Sequence, residues 1–419
     1  MKTETTGVLI AGGGPVGLTA ALCLQAHGIH PTVLEAKPRG VTHSYALALH
    51  PASLDLFESV GVLDDVLDGA LSVSRVIVQA DGRRLASLPV APHGAKHPFL
   101  AVTGQDRIES ALVRALEARG VNVRWSHRLA RFQQHAEGIA AEVDELEERV
   151  IGYATARFDW MVRRTHAVDA RYLIGADGHG SLVRRQLDID FPEVAPAEHY
   201  AVFEFQVRGT LPDEVVIVLH PDGMAVLWPL PGGRARWSFA VQPRPGGDVG
   251  RDKDHEPVQI FGPGAFPALE EQLFERLLAE RAPWFAAGVE RVYWRMLVRF
   301  ERRLADAFGR GRVWLAGDSV HLTGPAGIQS MNVGLREAQN LANAVAVDQH
   351  RGGSSALEAY QVHARDEWRR LLGLAGAVAV GPGAPREIAG AVTSVLTALP
   401  GSGRALTEMA SGLGLTLSG

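Results

Sequence analysis

This sequence is poor in several things at once. It holds one cysteine in 419 residues, Cys23, so an internal disulfide, a cysteine zinc cluster and a redox dithiol are all excluded. Cys23 lies within a helix pattern, where a small buried core residue is the simpler reading than a reactive thiol. Neither sign of charge dominates: 42 Lys+Arg against 47 Asp+Glu leave a formal net charge of −5. That balance offers no basic footprint for nucleic acid, and no nucleic-acid partner is expected. Lysine is scarce, and none of Lys2, Lys37, Lys96 and Lys253 stands in a catalytic context. The 16 histidines are scattered and never take the H-E-x-x-H spacing of a zinc hydrolase, so no metal site is expected. The apolar stretch Leu371–Val380 is cut by Gly381, Pro382, Gly383 and Pro385, well short of a bilayer span. Before Gly7 the chain is too short and polar for a signal peptide. A cytoplasmic protein without a membrane partner is therefore expected. Its oligomeric state is not legible.

What is present suits a globular protein. Hydrophobic residues make up 46% and charged residues 21%, and the length allows one large or two interlocked domains. The most informative stretch is Gly7–Glu35. Val8–Ile10 reads as a strand buried on both faces. It runs into Gly12-Gly13-Gly14-Pro15-Val16-Gly17, which fits G-x-G-x-x-G at Gly12, Gly14 and Gly17. A helix pattern (Val16, Ala20, Cys23, Leu24) stops near Gly28, and a second strand, Pro31–Leu34, ends on Glu35. In such a unit Gly12 allows the tight turn, Gly14 lets a pyrophosphate approach the backbone, and Gly17 permits close helix–strand packing. The phosphates meet the positive end of the helix. Glu35 can accept hydrogen bonds from an adenosine ribose and would repel a 2′-phosphate.

Further along, Ile108, Ala111, Leu112, Ala115 and Leu116 mark an amphipathic helix, followed by a strand at Val121–Trp125. Residues 139–170 read as strands joined by the charged tract Asp144–Arg149, a solvated hairpin end. Tyr172–Ile174 is another buried strand, running into Gly175-Ala176-Asp177-Gly178. After Phe191 the pattern alternates (Phe203, Phe205, Val207; Trp237, Phe239, Val241), which predicts antiparallel sheet with one covered face. Residues 242–267 read as a long surface loop or lid, and Leu269–Leu278 as a helix. Val313–Ala316 returns to the buried-strand style and ends in Gly317-Asp318. A helix carrying Ala338, Leu341, Ala342 and Val345 follows, and the chain is helical from Ser355 onward.

Three strands thus end in a glycine or acid turn, and in a doubly wound sheet such ends meet in one ligand-binding crevice. Here the sequence resembles the group A FAD-dependent aromatic hydroxylases, the monooxygenases similar to para-hydroxybenzoate hydroxylase. The likeness runs through residues 7–365. It rests on the Gly12–Gly17 turn with Glu35, on Gln105-Asp106-Arg107-Ile108-Glu109, on Tyr172–Gly178 with Ser181 and Arg184, and on Leu315–His321. It also takes in Pro325-Ala326-Gly327-Ile328-Gln329-Ser330-Met331-Asn332. The resemblance implies an α/β, Rossmann-like FAD-binding domain of the glutathione-reductase type, an inserted antiparallel β-sheet substrate domain and C-terminal helices. The expected boundaries are 1–75, 100–190 and 295–365 for the FAD domain, 76–99 and 191–294 for the substrate domain, and 366–419 for the helices. The implied FAD-binding residues are Gly12, Gly14, Pro15, Val16, Gly17, Glu35, Ala36, Gln105, Leu129, Asp177, Gly317, Asp318, Pro325, Gly327, Ile328 and Asn332. Asp177 and Arg184 are also implied for NADPH or NADH.

The implied chemistry is reduction of FAD by NADPH or NADH and oxygen addition to give a flavin hydroperoxide, which oxygenates a hydrophobic, aromatic or polyketide-like substrate. The flavin supplies the reactive oxygen, and no catalytic side chain can be named from sequence. Candidate substrate residues are Tyr45, Phe203, Met224, Trp228 and Trp237. Three departures stand out. Tyr45 occupies the place of an arginine that assists flavin movement in many relatives, Ile328 and Ser330 replace two glycines of the flavin loop, and Glu337 replaces an aspartate. These leave open a non-redox, cyclase-type catalyst or a protein with structural FAD. A non-enzymatic NAD-binding sensor would have no use for the later Asp-Gly and Gly-Asp motifs, and no W-x-W-x-I-P halogenase sequence is present.

Overall fold

The computed structural model describes residues 3–38, 47–151, 157–243, 269–324, 326–374 and 376–417. Tyr45, Pro325 and the expected lid, apart from its first residues, lie outside them.

Parallel strands form the centre of the first, eight-stranded sheet. Val313–Leu315 pairs with Arg157–Gly175, which pairs with Glu4–Ala11, then Pro31–Glu35, then Val123–Trp125. Leu9, Ile10, Leu173, Ile174 and Leu315 are fully buried, as strands covered on both faces require. The helices Pro15–Ala26 and Gln329–Arg351 pack against each other over this sheet. The helix Gln105–Ala118 buries Ile108, Ala111, Leu112 and Leu116, the expected apolar stripe.

The tract Asp144–Arg149 corrects one expectation. It is not a hairpin end but lies inside the ladder of Ile139–Ile151 with Arg157–Gly175, Asp144 opposite Thr165 and Arg149 opposite Asp159. Here the two strands extend as a ribbon that leaves most side chains exposed or half-buried, Trp160, Met161 and Val162 among them. Cross-strand ion pairs such as Arg163–Glu145 at 2.9 Å tie the two strands together.

A second, eight-stranded sheet runs His321–Leu322, Val289–Leu304, Glu193–Val207, Arg234–Val241, Ala225–Leu230, Glu214–Leu219, Arg75–Ala80 and Arg83–Pro89. It is antiparallel except where Glu214–Leu219 runs parallel to Arg75–Ala80. The expected boundary at 294 falls within Val289–Leu304, a strand that belongs whole to this sheet.

The two faces of this sheet are covered differently. Tyr200, Val202, Met224, Val226, Trp228 and Val298 share one continuous core with the parallel sheet. Phe203, Phe205, Leu227, Trp237 and Phe239 point the other way, into a separate core closed by Leu273, Phe274 and Leu277 of the helix Glu271–Arg281. Phe203 stacks on Phe274 with ring centroids 4.4 Å apart. After the helix Ser355–Leu371 come Arg386–Ala389, Val392–Ala398 and Gly403–Gly412. The strands Val378–Val380 and Leu415–Leu417 pair with each other. Among the described residues no helix is long and apolar enough to cross a membrane.

Candidate cofactor site

The three strand ends sit side by side: Ala11 lies opposite both Leu34 and Gly175, and Gly175 lies opposite Leu315. The turns that follow them therefore open at the same edge of the sheet. Gly12, at φ +111°, passes so close to Ala176 that a Cβ there would lie 2.1 Å from its carbonyl oxygen. At Gly17 a Cβ would lie 2.0 Å from the Gly12 oxygen. Gly14 has nothing within 4 Å of its Cβ position, so this part of the turn borders open space. It precedes Pro15–Ala26, a helix with no side-chain cap and a proline at its start. The N–H groups of its first turn stay free for an anion. Val16 packs over Gly317 and locks the Gly-Asp turn against the first helix.

Glu35 accepts the Gly13 N–H at 2.8 Å through one carboxylate oxygen and the Lys37 N–H at 2.8 Å through the other. Each oxygen keeps a lone pair for a ribose hydroxyl. Ala36 beside it is exposed. Gln105, half-buried, donates to Glu109 at 2.7 Å, while Leu129 is buried in the strand His127–Gln134.

Asp177 caps the short helix Leu182–Gln186: its Oδ2 accepts the Leu182 and Val183 N–H groups at 2.8 and 3.1 Å. Burial raises its pKa, and hydrogen bonds from Ser181 and the backbone oppose the shift. Its Oδ1 is buried without a hydrogen-bond partner, a vacant acceptor in the crevice wall. Arg184 is buried and spoken for. It donates to the carbonyls of Ser319 at 2.7 Å and His179 at 2.9 Å and lies 4.1 Å over the Phe191 ring, so it ties the Asp-Gly turn to the Gly-Asp turn. Burial lowers its pKa to about 10.

Asp318 is exposed, yet the protein mass around it raises its pKa, with His321 and His179 partly offsetting the effect. It is a carboxylate in a recess. Glu337, the residue in place of an aspartate, is the hub beneath it. It accepts the Gly317 N–H at 2.9 Å, His321 Nε2 at 2.8 Å and the Trp368 indole N–H at 2.7 Å. His321 stacks on Trp368 with centroids 3.8 Å apart.

The loop Ala326–Gln329 is anchored from several sides. Trp228 of the second sheet donates its indole N–H to the Ala326 carbonyl at 3.1 Å. His50 donates from Nε2 to the Gly327 carbonyl at 2.9 Å. Asn332 uses all four of its amide positions: Nδ2 donates to Ala48 and Ile328 carbonyls, and Oδ1 accepts from the His50 N–H and Ser53 hydroxyl. Its side chain fixes the loop rather than reaching outward. Ile328 is buried at φ +53°, ψ +33°, a left-handed conformation that a β-branched residue rarely adopts. Gln329, fully buried, starts the long helix, whose N-terminus has no side-chain cap.

Among the expected substrate residues, Met224 and Trp228 lie on the face toward this loop. Phe203 and Trp237 are corrected: they lie on the opposite face, under Glu271–Arg281, because Phe203 pairs with Trp237 in register and both share that side. Alternation reveals that a strand has two faces but not which one meets the crevice. Sequence reading missed His50, Ser53 and Gln329 as anchors of the loop, since their partners lie 67 to 282 residues away. No local signal marks such pairs.

The residues present fit a dinucleotide. There is open space at Gly14, an uncapped helix end, spare acceptors on Glu35 and Asp177, and a recessed carboxylate at Asp318.

Comparison with known proteins places the chain in a family. The chain is 30% identical over 342 residues to the 12-dehydrotetracycline 5-monooxygenase/anhydrotetracycline 6-monooxygenase of Streptomyces rimosus, covering 80% of this chain and 61% of the relative. It is 27% identical over 374 residues to a 3-(3-hydroxy-phenyl)propionate/3-hydroxycinnamic acid hydroxylase of a Mycobacterium species, covering 88% and 59%. The chain thus spans about three fifths of the length of these curated relatives. Among solved structures, p-nitrophenol 4-monooxygenase of Pseudomonas putida superposes with a TM-score of 0.67 at 24% identity, covering 87% of this chain and 86% of that one. Anhydrotetracycline hydroxylase of Streptomyces rimosus gives 0.64 at 25%, covering 88% and 68%. The family model described as FAD binding domain matches residues 5–373, and the chain belongs to that family, that of the group A FAD-dependent aromatic hydroxylases.

Proposed function

We propose that this protein is a flavoprotein monooxygenase that uses NADPH or NADH and O2 to oxygenate a small hydrophobic substrate, aromatic or polyketide-like. When bound, FAD would supply the hydride-accepting and oxygen-activating chemistry. The chain's own residues bind and orient. Glu35 and Asp318 would take ribose and ribityl hydroxyls, the free N–H groups after Gly14 would take the pyrophosphate, and the start of the helix at Gln329 would face developing negative charge. Met224, Val226 and Trp228 offer an apolar wall that excludes water.

The observation that carries this reading is the Trp228–Ala326 hydrogen bond, which joins the apolar face of the second sheet directly to the loop at the cofactor crevice. A pocket for an apolar ligand beside a redox cofactor needs that juxtaposition. Substrates named for the relatives, anhydrotetracycline and hydroxyphenylpropionate among them, are of the same class. The test is anaerobic mixing of the purified holoprotein with excess NADPH while the visible flavin band is followed. Bleaching that reverses with air, and quickens with an aromatic ligand, is expected. A band that persists would refute the redox reading and favour a non-redox FAD-dependent catalyst.

A further inference from the structure

The carbonyls of the last turn of a helix have no partner inside it. In Val392–Ala398 and the residues just after it, those carbonyls are met by the flavin loop. The Thr397 carbonyl accepts the Gly327 N–H at 3.1 Å. Gln329 Nε2 donates to the carbonyls of Leu396 and Leu399, each at 2.9 Å, and reaches Gly401 at 3.5 Å. Ringed by carbonyls, the buried amide has only one workable orientation, nitrogen outward to the helix end. The fit is close: a Cβ on Gly327 would lie 2.6 Å from the Leu399 oxygen and 2.7 Å from the Thr397 oxygen.

The same C-terminal segment also grips the second sheet. Ser394 donates to Glu198 at 3.2 Å, and Glu198 pairs with the buried Arg302 at 2.6 Å. On either side of that segment, Gly412 lies against Leu88 and Glu387 pairs with Arg83 at 3.1 Å. One segment therefore holds both the sheet and the loop, next to a left-handed Ile328 that persists only if its surroundings over-determine it.

We propose that the segment Val392–Gly401 is a working part of the cofactor site, and that Gln329 is the positioning residue through which it holds the flavin loop in one conformation. The inference rests on FAD occupying the crevice. It places no residue of 392–401 in contact with the cofactor.

Two measurements test it. In the first, amide hydrogen exchange is followed on the wild-type protein with and without FAD. Protection of residues 394–401 should rise with FAD together with that of 326–332. Unchanged exchange at 394–401 beside a protected 326–332 would overturn the proposal. In the second, Gln329→Met keeps the side-chain volume and removes the donor. The apoprotein of this variant should bind FAD on the order of tenfold more weakly, the equivalent of one lost hydrogen bond. The bound flavin should show an altered visible circular dichroism and a more negative midpoint potential, because the helix N-terminus is no longer held in register. A variant whose FAD affinity, dichroism and potential all match the wild type would overturn the proposal, and a variant too unstable to purify leaves the exchange experiment to decide it. A wild-type chain that binds no FAD would remove the cofactor reading and this proposal together, whereas binding without coupling to 394–401 would remove this one alone.

Discussion

Ile328 gives the sharpest quantitative test. At φ +53° it pays the left-handed penalty of an L-residue, about 1–2 kcal/mol. It also buries its side chain, being only 6% exposed. Replacing it by alanine removes the buried side chain and keeps the backbone penalty, which should cost about 2–5 kcal/mol. Replacing it by glycine removes the same side chain and the penalty too, but makes the unfolded chain more flexible by about 0.4–1 kcal/mol. Ile328→Gly should therefore be more stable than Ile328→Ala by about 1 kcal/mol, the reverse of the usual order of these two residues. In a chain this long that is one to two degrees in Tm. The assay is thermal and urea unfolding of both variants as apoprotein, with FAD affinity measured alongside. If Ile328→Ala proves the more stable, residue 328 is not left-handed in solution and the account of a strained, braced loop fails.

Other outcomes follow from the same geometry. Asp318→Asn should weaken FAD binding by roughly 10- to 150-fold, the worth of a hydrogen bond to a charged group at about 1.5–3 kcal/mol. Full flavin occupancy of the Asn variant at limiting FAD would contradict the site. Glu337→Gln should set an amide N–H against the Gly317, His321 or Trp368 donors and lower stability by about 2–4 kcal/mol, with Glu337→Asp milder. Equal melting temperatures for Gln and wild type would refute its role as hub. His50 is buried and neutral, its pKa depressed from 6.5 to about 3. Between those pH values the unfolded chain binds the extra proton, so the stability His50 contributes is present above pH 6.5 and lost as pH falls. The acid limb of the stability curve should become shallower in His50→Gln by up to about 1.4 kcal/mol per pH unit, which urea titrations from pH 7 to 4 would reveal.

The sequence alone determined the elements whose physics is local. Gly12–Gly17 with Glu35 spelled out a strand, turn, helix and strand because each glycine answers a short-range steric demand. The buried strands ending at Gly175 and Leu315 announced themselves by short apolar runs, and the stripe of Gln105–Ala118 by its 3.6-residue period. Alternation likewise marked the second sheet as sheet. Tertiary structure decided what depends on distant partners. Phe203 and Trp228 look alike in sequence, yet packing under Phe274 takes one away from the crevice and a hydrogen bond to Ala326 brings the other to it. Sequence marks Arg184 as a candidate for NADPH or NADH, and only the fold shows its guanidinium donating to the carbonyls of His179 and Ser319. The bracing of Gly327 and Gln329 by residues 396–399 had no local trace, because a helix's unpaired carbonyls carry no residue-type signature: any amide that the fold delivers to them can satisfy them.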